Sequence, residues 1–125
     1  MKIQLIVLAF LAFSTSACVN AQNATEVKAV EPTYAPENAG WLTNLDEAYA
    51  LSKKTGKPIL ANFTGSDWCG WCKKLTASVF VHDEFKQWAE KNVVLLELDY
   101  PRRKQLPENI KIQNQNLQQA FHVGG

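Results

Sequence analysis

The hexad Trp68-Cys69-Gly70-Trp71-Cys72-Lys73 holds the residues in this 125-residue chain best suited to chemistry. Two thiols with two residues between them close a loop too small to restrain an unfolded chain. The pair therefore asks for a chemical role rather than a scaffolding one. If the segment opens a helix, Cys69 falls in the first turn, beside unpaired backbone N–H groups and the positive end of the helix dipole. Both favour a thiolate over a thiol, and the thiolate is the nucleophile. Cys72 lies one turn deeper on the same side, placed to attack a mixed disulfide formed at Cys69 and release the reduced product. Gly70 permits close approach of a partner chain, and Lys73 adds a modest positive charge, as does Lys74.

Competing chemistry fits poorly. A structural zinc site needs about four ligands, usually a second Cys pair or paired histidines. The two histidines, His82 and His122, follow no ligand pattern. A c-type haem needs His directly after the second cysteine, where Lys73 stands. Metal is therefore not expected, and sulfur exchange calls for no bound cofactor. Two further readings stay open: an inert disulfide in a structural lipoprotein domain, and a non-catalytic module that binds another envelope protein.

The elements that must position the cysteines follow from periodicity. Thr43 to Gly56 reads as a helix, capped by Thr43 or Asn44, with Leu45, Ala48, Tyr49 and Leu51 or Ser52 at helical spacing. Gly56 and Pro58 end it. Pro58 to Thr64 reads as a strand, apolar enough to be buried on both faces. A helix starts at the Cys69–Cys72 segment, another piece fits Asp83 to Lys91, and Val93 to Asp99 is the clearest strand. Strand, helix and strand predict a parallel βαβ unit. A polar loop through Pro101 to Pro107 leads to a last helix near Asn114 to His122, with Leu117, Ala120 and Phe121 as its apolar stripe. Trp41, Phe80, Phe85, Trp88 and Phe121 read as packing residues, and Trp71 as exposed.

The start of the chain reads as an export signal: Lys2, then an apolar run from Ile3 to Phe13 too short to span a bilayer, then small residues. Cleavage after Ala21 fits one rule. Thr15-Ser16-Ala17-Cys18 fits another, a lipobox that would lipidate Cys18 and anchor the protein to a membrane. The leader is thus 1–21, or 1–17 in a lipoprotein, and the product is exported, either periplasmic or lipid-anchored in a bacterial envelope. Residues 22–40, with Pro32 and Pro36, read as a flexible linker, with order beginning near Trp41. The formal net charge of +1 gives no reason to expect nucleic acid. Lys53, Lys54 and Lys57, and the pair Arg102 and Arg103, read as solvated faces.

The run Gly56 to Leu75, centred on Trp68-Cys69-Gly70-Trp71-Cys72-Lys73, resembles the active-site region of thioredoxin-family proteins, nearest the exported branch of disulfide-interchange reductases. The similarity extends from about Trp41 to the end. It implies an α/β thioredoxin-like fold over 41–125, with Cys69 attacking, Cys72 resolving and Trp68 shielding the site. It also implies protein disulfides as substrates and a separate thiol electron donor.

Three departures stand out. Trp71 replaces the proline found between the cysteines of thioredoxin, which leaves the redox direction open. Asn62 occupies the place of the buried Asp of the preceding strand and cannot accept a proton from Cys72. The chain stops at Gly125, before the cis-proline loop, antiparallel hairpin and closing helix of the family. The expectation is a domain incomplete at its C-terminus, cut from a longer parent. A parallel strand pair with an open edge is marginal alone. The expected activity is thiol–disulfide exchange, more in the reducing than the oxidising direction.

Overall fold

The computed structural model describes residues 34–124. Helix α1 (Leu45–Thr55) starts where Asn44, not Thr43, caps it by accepting the Glu47 N–H at 3.1 Å. It ends at Gly56, whose left-handed backbone (φ 72°) turns its N–H onto the Ser52 carbonyl at 2.8 Å. Strand β1 (Ile59–Thr64) follows, then α2 (Gly70–Leu75), a π-helical turn at Thr76–Phe80, α3 (Asp83–Asn92), β2 (Val94–Asp99) and α4 (Glu108–Ala120).

β1 and β2 are parallel, in register from Ile59 opposite Val94 to Thr64 opposite Asp99. Side chains alternate across a strand, so the pair has two distinct faces. On one, Val94, Leu96 and Leu98 bury Ala48 of α1, ringed by Leu45, Ile59, Phe63, Tyr100 and Leu117. The other, carrying Leu95, Glu97 and Asp99 on β2 and Asn62 and Thr64 on β1, is the face of α2 and α3. There Trp41, Phe80 and Phe85 form a second cluster, with Trp41 4.8 Å from Phe80 and Phe80 5.0 Å from Phe85 between ring centres. The π-helical turn supplies Phe80; its wider turn is closed by the Val81 N–H on the Thr76 carbonyl at 3.2 Å.

Leu42 bridges the far edge of β2 in parallel: its N–H donates to Leu95 at 2.9 Å and its carbonyl accepts from Glu97 at 2.8 Å. β2 is therefore central, and β1 is an edge among the described residues. This corrects the reading of β1 as buried on both faces. Only Thr64 is buried and Ala61 is exposed, because no strand pairs with the outer edge of β1 among the described residues.

Other expectations shift as well. Order does not wait for Trp41: Tyr34 to Gly40 lies against β2, held by Glu97 and Asp99. α4 begins well before Asn114, because Pro107 takes its cap position with φ already near the helical value. Its buried residues are Ile110 and Asn114, whereas Phe121 is 65% exposed. Trp88 is also about half exposed rather than packed away. The leader and Cys18 lie outside the described residues. No described helix is long and apolar enough to cross a membrane.

Candidate active site

β1 delivers the chain to a tight turn in which the Gly65 carbonyl accepts the N–H groups of Trp68 (3.1 Å) and Cys69 (2.8 Å). Cys69 thereby lands at the cap position of α2 with an extended backbone, and its Sγ accepts the Cys72 N–H at 3.2 Å. A helix-opening amide pointed at the sulfur is the arrangement that stabilises a thiolate there once the bond is reduced. The two cysteines are joined by a disulfide, with Cα atoms 5.3 Å apart. Both are half-buried, so the bond is reachable from solvent.

Trp68 lies across Gly65, so closely that a Cβ there would fall inside the indole. Its ring N–H donates to the Tyr100 carbonyl at 2.7 Å, tying the turn before α2 to the segment after β2. Asp67 ties the same two segments. Its carboxylate accepts the backbone N–H groups of Arg102 (3.0 Å) and Arg103 (2.6 Å). Those donors, Arg102 first, hold the Asp67 carboxyl below the usual carboxylate range. The clamp sets the Arg102 guanidinium 4.0 Å from the centre of the Trp68 ring, so Arg102 is not simply a solvated residue. On the other side of Cys69, Trp71 is 79% exposed, with the Lys74 ammonium 5.1 Å from its ring centre. Gly70 is exposed, and a Cβ at its position would meet nothing within 4 Å, in keeping with open access to the disulfide.

Behind Cys72 is a cleft of about 340 Å³ whose walls include Thr64, Ser66, Lys73, Thr76 and Asn38. Two fully buried carboxylates stand beneath it on β2. Asp99 accepts the Ser66 hydroxyl (2.6 Å), the Ser66 N–H (2.8 Å) and the Tyr34 hydroxyl (2.9 Å). Glu97 accepts the Asn38 side-chain amide (2.6 Å) and the N–H groups of Glu37 (2.7 Å) and Asn38 (3.3 Å). Burial, with the charge of Asp99 added, pushes the Glu97 carboxyl above the usual range against those hydrogen bonds. Asn62 is half-buried opposite Glu97 in the register. The buried acids of this face thus come from β2, not from β1. Sequence patterning did not single them out. The available signal was a pair of acids two apart in an otherwise apolar strand, which must share one face.

A larger apolar groove of about 480 Å³, lined by Trp41, Phe80, Phe85 and Ala89, contains neither cysteine. His82 stands exposed at the cap position of α3 without a side-chain capping bond.

Residues 40–123 match a family model described as thioredoxin-like. The chain is 39% identical over 79 residues to a Chlamydia pneumoniae protein named disulfide bond reductase DsbH, a match covering 63% of this chain and 48% of that one. It is 34% identical over 83 residues to the thioredoxin-related protein DsbJ of the same organism, covering 66% of this chain and 24% of that one. The chain thus spans about half, or less, of the curated relatives it matches. A solved structure of a DsbH oxidoreductase superposes with a TM-score of 0.65 at 34% identity, over 75% of this chain and 67% of that one. With the helix-capping cysteine pair, the parallel βαβ frame and these matches together, the chain belongs to the thioredoxin-like family.

Proposed function

We propose that this chain is a thiol–disulfide oxidoreductase that reduces protein disulfides in a bacterial envelope. The observation that carries the reading is the Cys69–Cys72 disulfide at the start of α2, with the Cys72 N–H directed at the Cys69 sulfur. In the reduced protein the Cys69 thiolate attacks one sulfur of a substrate disulfide. A mixed disulfide forms and the first substrate thiolate departs. Cys72, deprotonated, then attacks the Cys69 sulfur, restores the 69–72 bond and releases the second thiolate. Two electrons pass to the substrate, and a separate dithiol donor must return them. Trp68 closes one side of the reacting sulfur, Gly70 and Trp71 face the incoming chain, and Lys73 adds positive charge. Asn62 contributes an amide on the Cys72 face of the sheet.

The reductive direction rests on the name of the DsbH relative. Envelope placement rests on the leader at residues 1–21, or on 1–17 with a lipidated Cys18 that would anchor the chain to a membrane. In this reading the folded unit includes Tyr34 to Gly40, and the linker is correspondingly shorter.

Two measurements test the proposal. Equilibration with glutathione buffers should give a reduction potential in the range of exchange proteins. Cys72→Ser should trap substrates as mixed disulfides through Cys69, and Cys69→Ser should trap none. A 69–72 bond that resists reduction well below that range, or equal trapping by both variants, overturns the reading.

A further inference from the structure

The two tryptophans that flank Cys69 each carry a cation. Arg102 sits over Trp68 at 4.0 Å and Lys74 over Trp71 at 5.1 Å. Lys73, at the cleft beside Cys72, and Arg103, next in the chain to Arg102, add to this charge, and all four cations are exposed. None of them has a carboxylate partner among the described residues, whose ion pairs are Lys86–Asp83, Lys104–Glu37 and Lys111–Glu108. Of the carboxylates nearby, Asp67 is spent on the backbone N–H groups of Arg102 and Arg103 while its charge also attracts Arg103, Glu37 at the Cys72 cleft is paired with Lys104, and Glu97 and Asp99 are buried, so Arg102, Lys73 and Lys74 stay without an acidic partner. The concentration of positive charge is local, since the whole chain carries only +1.

We propose that this charge selects polypeptide disulfides flanked by Asp or Glu. The inference rests on the exchange reading of Cys69 and names the substrate class for that site. An exposed Trp–cation pair offers an incoming chain an apolar platform and an unsatisfied charge together, the composition of interface hot spots. Exposed rim charges act mainly by steering encounter, so the preference should appear as association rate and weaken with salt. An anionic lipid surface presents the same charge. It is the poorer fit, because the cations sit on the two tryptophans nearest Cys69 in the chain, and a membrane lying on them would cover the disulfide.

The test uses the reduced protein and three synthetic peptides with the same disulfide loop, flanked by Glu, Gln or Lys. The second-order rate for the Glu peptide should exceed that for the Gln peptide by about tenfold at low salt, with the Lys peptide slowest. The ratio should fall towards one at about 0.5 M salt. The Lys74→Gln/Arg102→Gln double variant should lose most of the Glu/Gln ratio, whereas Lys53→Gln/Lys54→Gln, with the same charge removed from α1, should keep it. Equal rates for the three peptides, or the same ratio in both double variants, overturn the inference while leaving the exchange reading intact. Protection of Cys69 from alkylation by phosphatidylglycerol vesicles, without peptide preference, also overturns it. Reduction of none of the peptides sinks the exchange reading instead.

Discussion

The indole N–H of Trp68 donates to the Tyr100 carbonyl at 2.7 Å, so the residue before Cys69 is held by the residue after β2. Phe63 stacks on Tyr100 at 6.3 Å between ring centres, and the Tyr100 hydroxyl donates to the Asn114 carbonyl at 2.6 Å. Asn114 returns a hydrogen bond from its side-chain amide to the Asp99 carbonyl at 2.9 Å. A continuous line of contacts therefore runs from α4 to the cysteine turn.

Gly65→Ala tests the near end of that line. The added methyl would occupy space filled by the Trp68 ring, so the ring must swing out and give up Tyr100. The expected cost is about 1–3 kcal/mol, the range for forced overpacking. A urea midpoint lowered at unchanged slope, with red-shifted tryptophan fluorescence, is the expected result. An unchanged midpoint would show that the turn relaxes freely.

Gln113→Ala tests a tie beside that line, since Gln113 also donates to the Asn114 side-chain oxygen at 3.0 Å. From α4, Gln113 accepts the Leu45 N–H at 2.8 Å and donates to the Thr43 carbonyl at 2.9 Å, serving the start of α1 across the fold. Losing both bonds leaves a half-buried donor and acceptor unpaired, which should cost about 1–3 kcal/mol. Amide exchange should accelerate most at Leu45. Loss spread evenly over the protein would argue against a local tie.

Glu97→Gln tests the buried acid pair through its pH dependence. The carboxyl of Glu97 is pushed up by burial, so the folded state holds its proton to higher pH than the unfolded state does. Its contribution is then fully present below the ordinary glutamate range and declines as pH rises through the raised folded value. The stability of the parent relative to Glu97→Gln should therefore fall between acid and neutral pH. Paired urea titrations at several pH values would measure this, and a relative stability that rises with pH contradicts the assignment.

Much of this molecule was legible from local chemistry. The helix-start position of Cys69, a cap at Thr43 or Asn44, the Gly56 stop and the parallel strand pair each depend on a few neighbouring residues and on strict periodicities. Exposure of Trp71 followed from its place beside a helix-opening cysteine. The start of α4 was misplaced because Pro107 reads as a loop residue, although its fixed φ suits a helix entry equally well.

What the sequence by itself determined is the helix-start cysteine pair and the frame that presents it, because helix capping and strand alternation act over spans of a few residues. Tertiary structure alone decided what surrounds that pair. Arg102 reaches Trp68, Tyr34 reaches Asp99 and Asn38 reaches Glu97 across long stretches of chain. Such meetings depend on how β2 is threaded between β1 and the Leu42 segment, and no local propensity encodes which distant side chain will satisfy a buried carboxylate or lie across an indole.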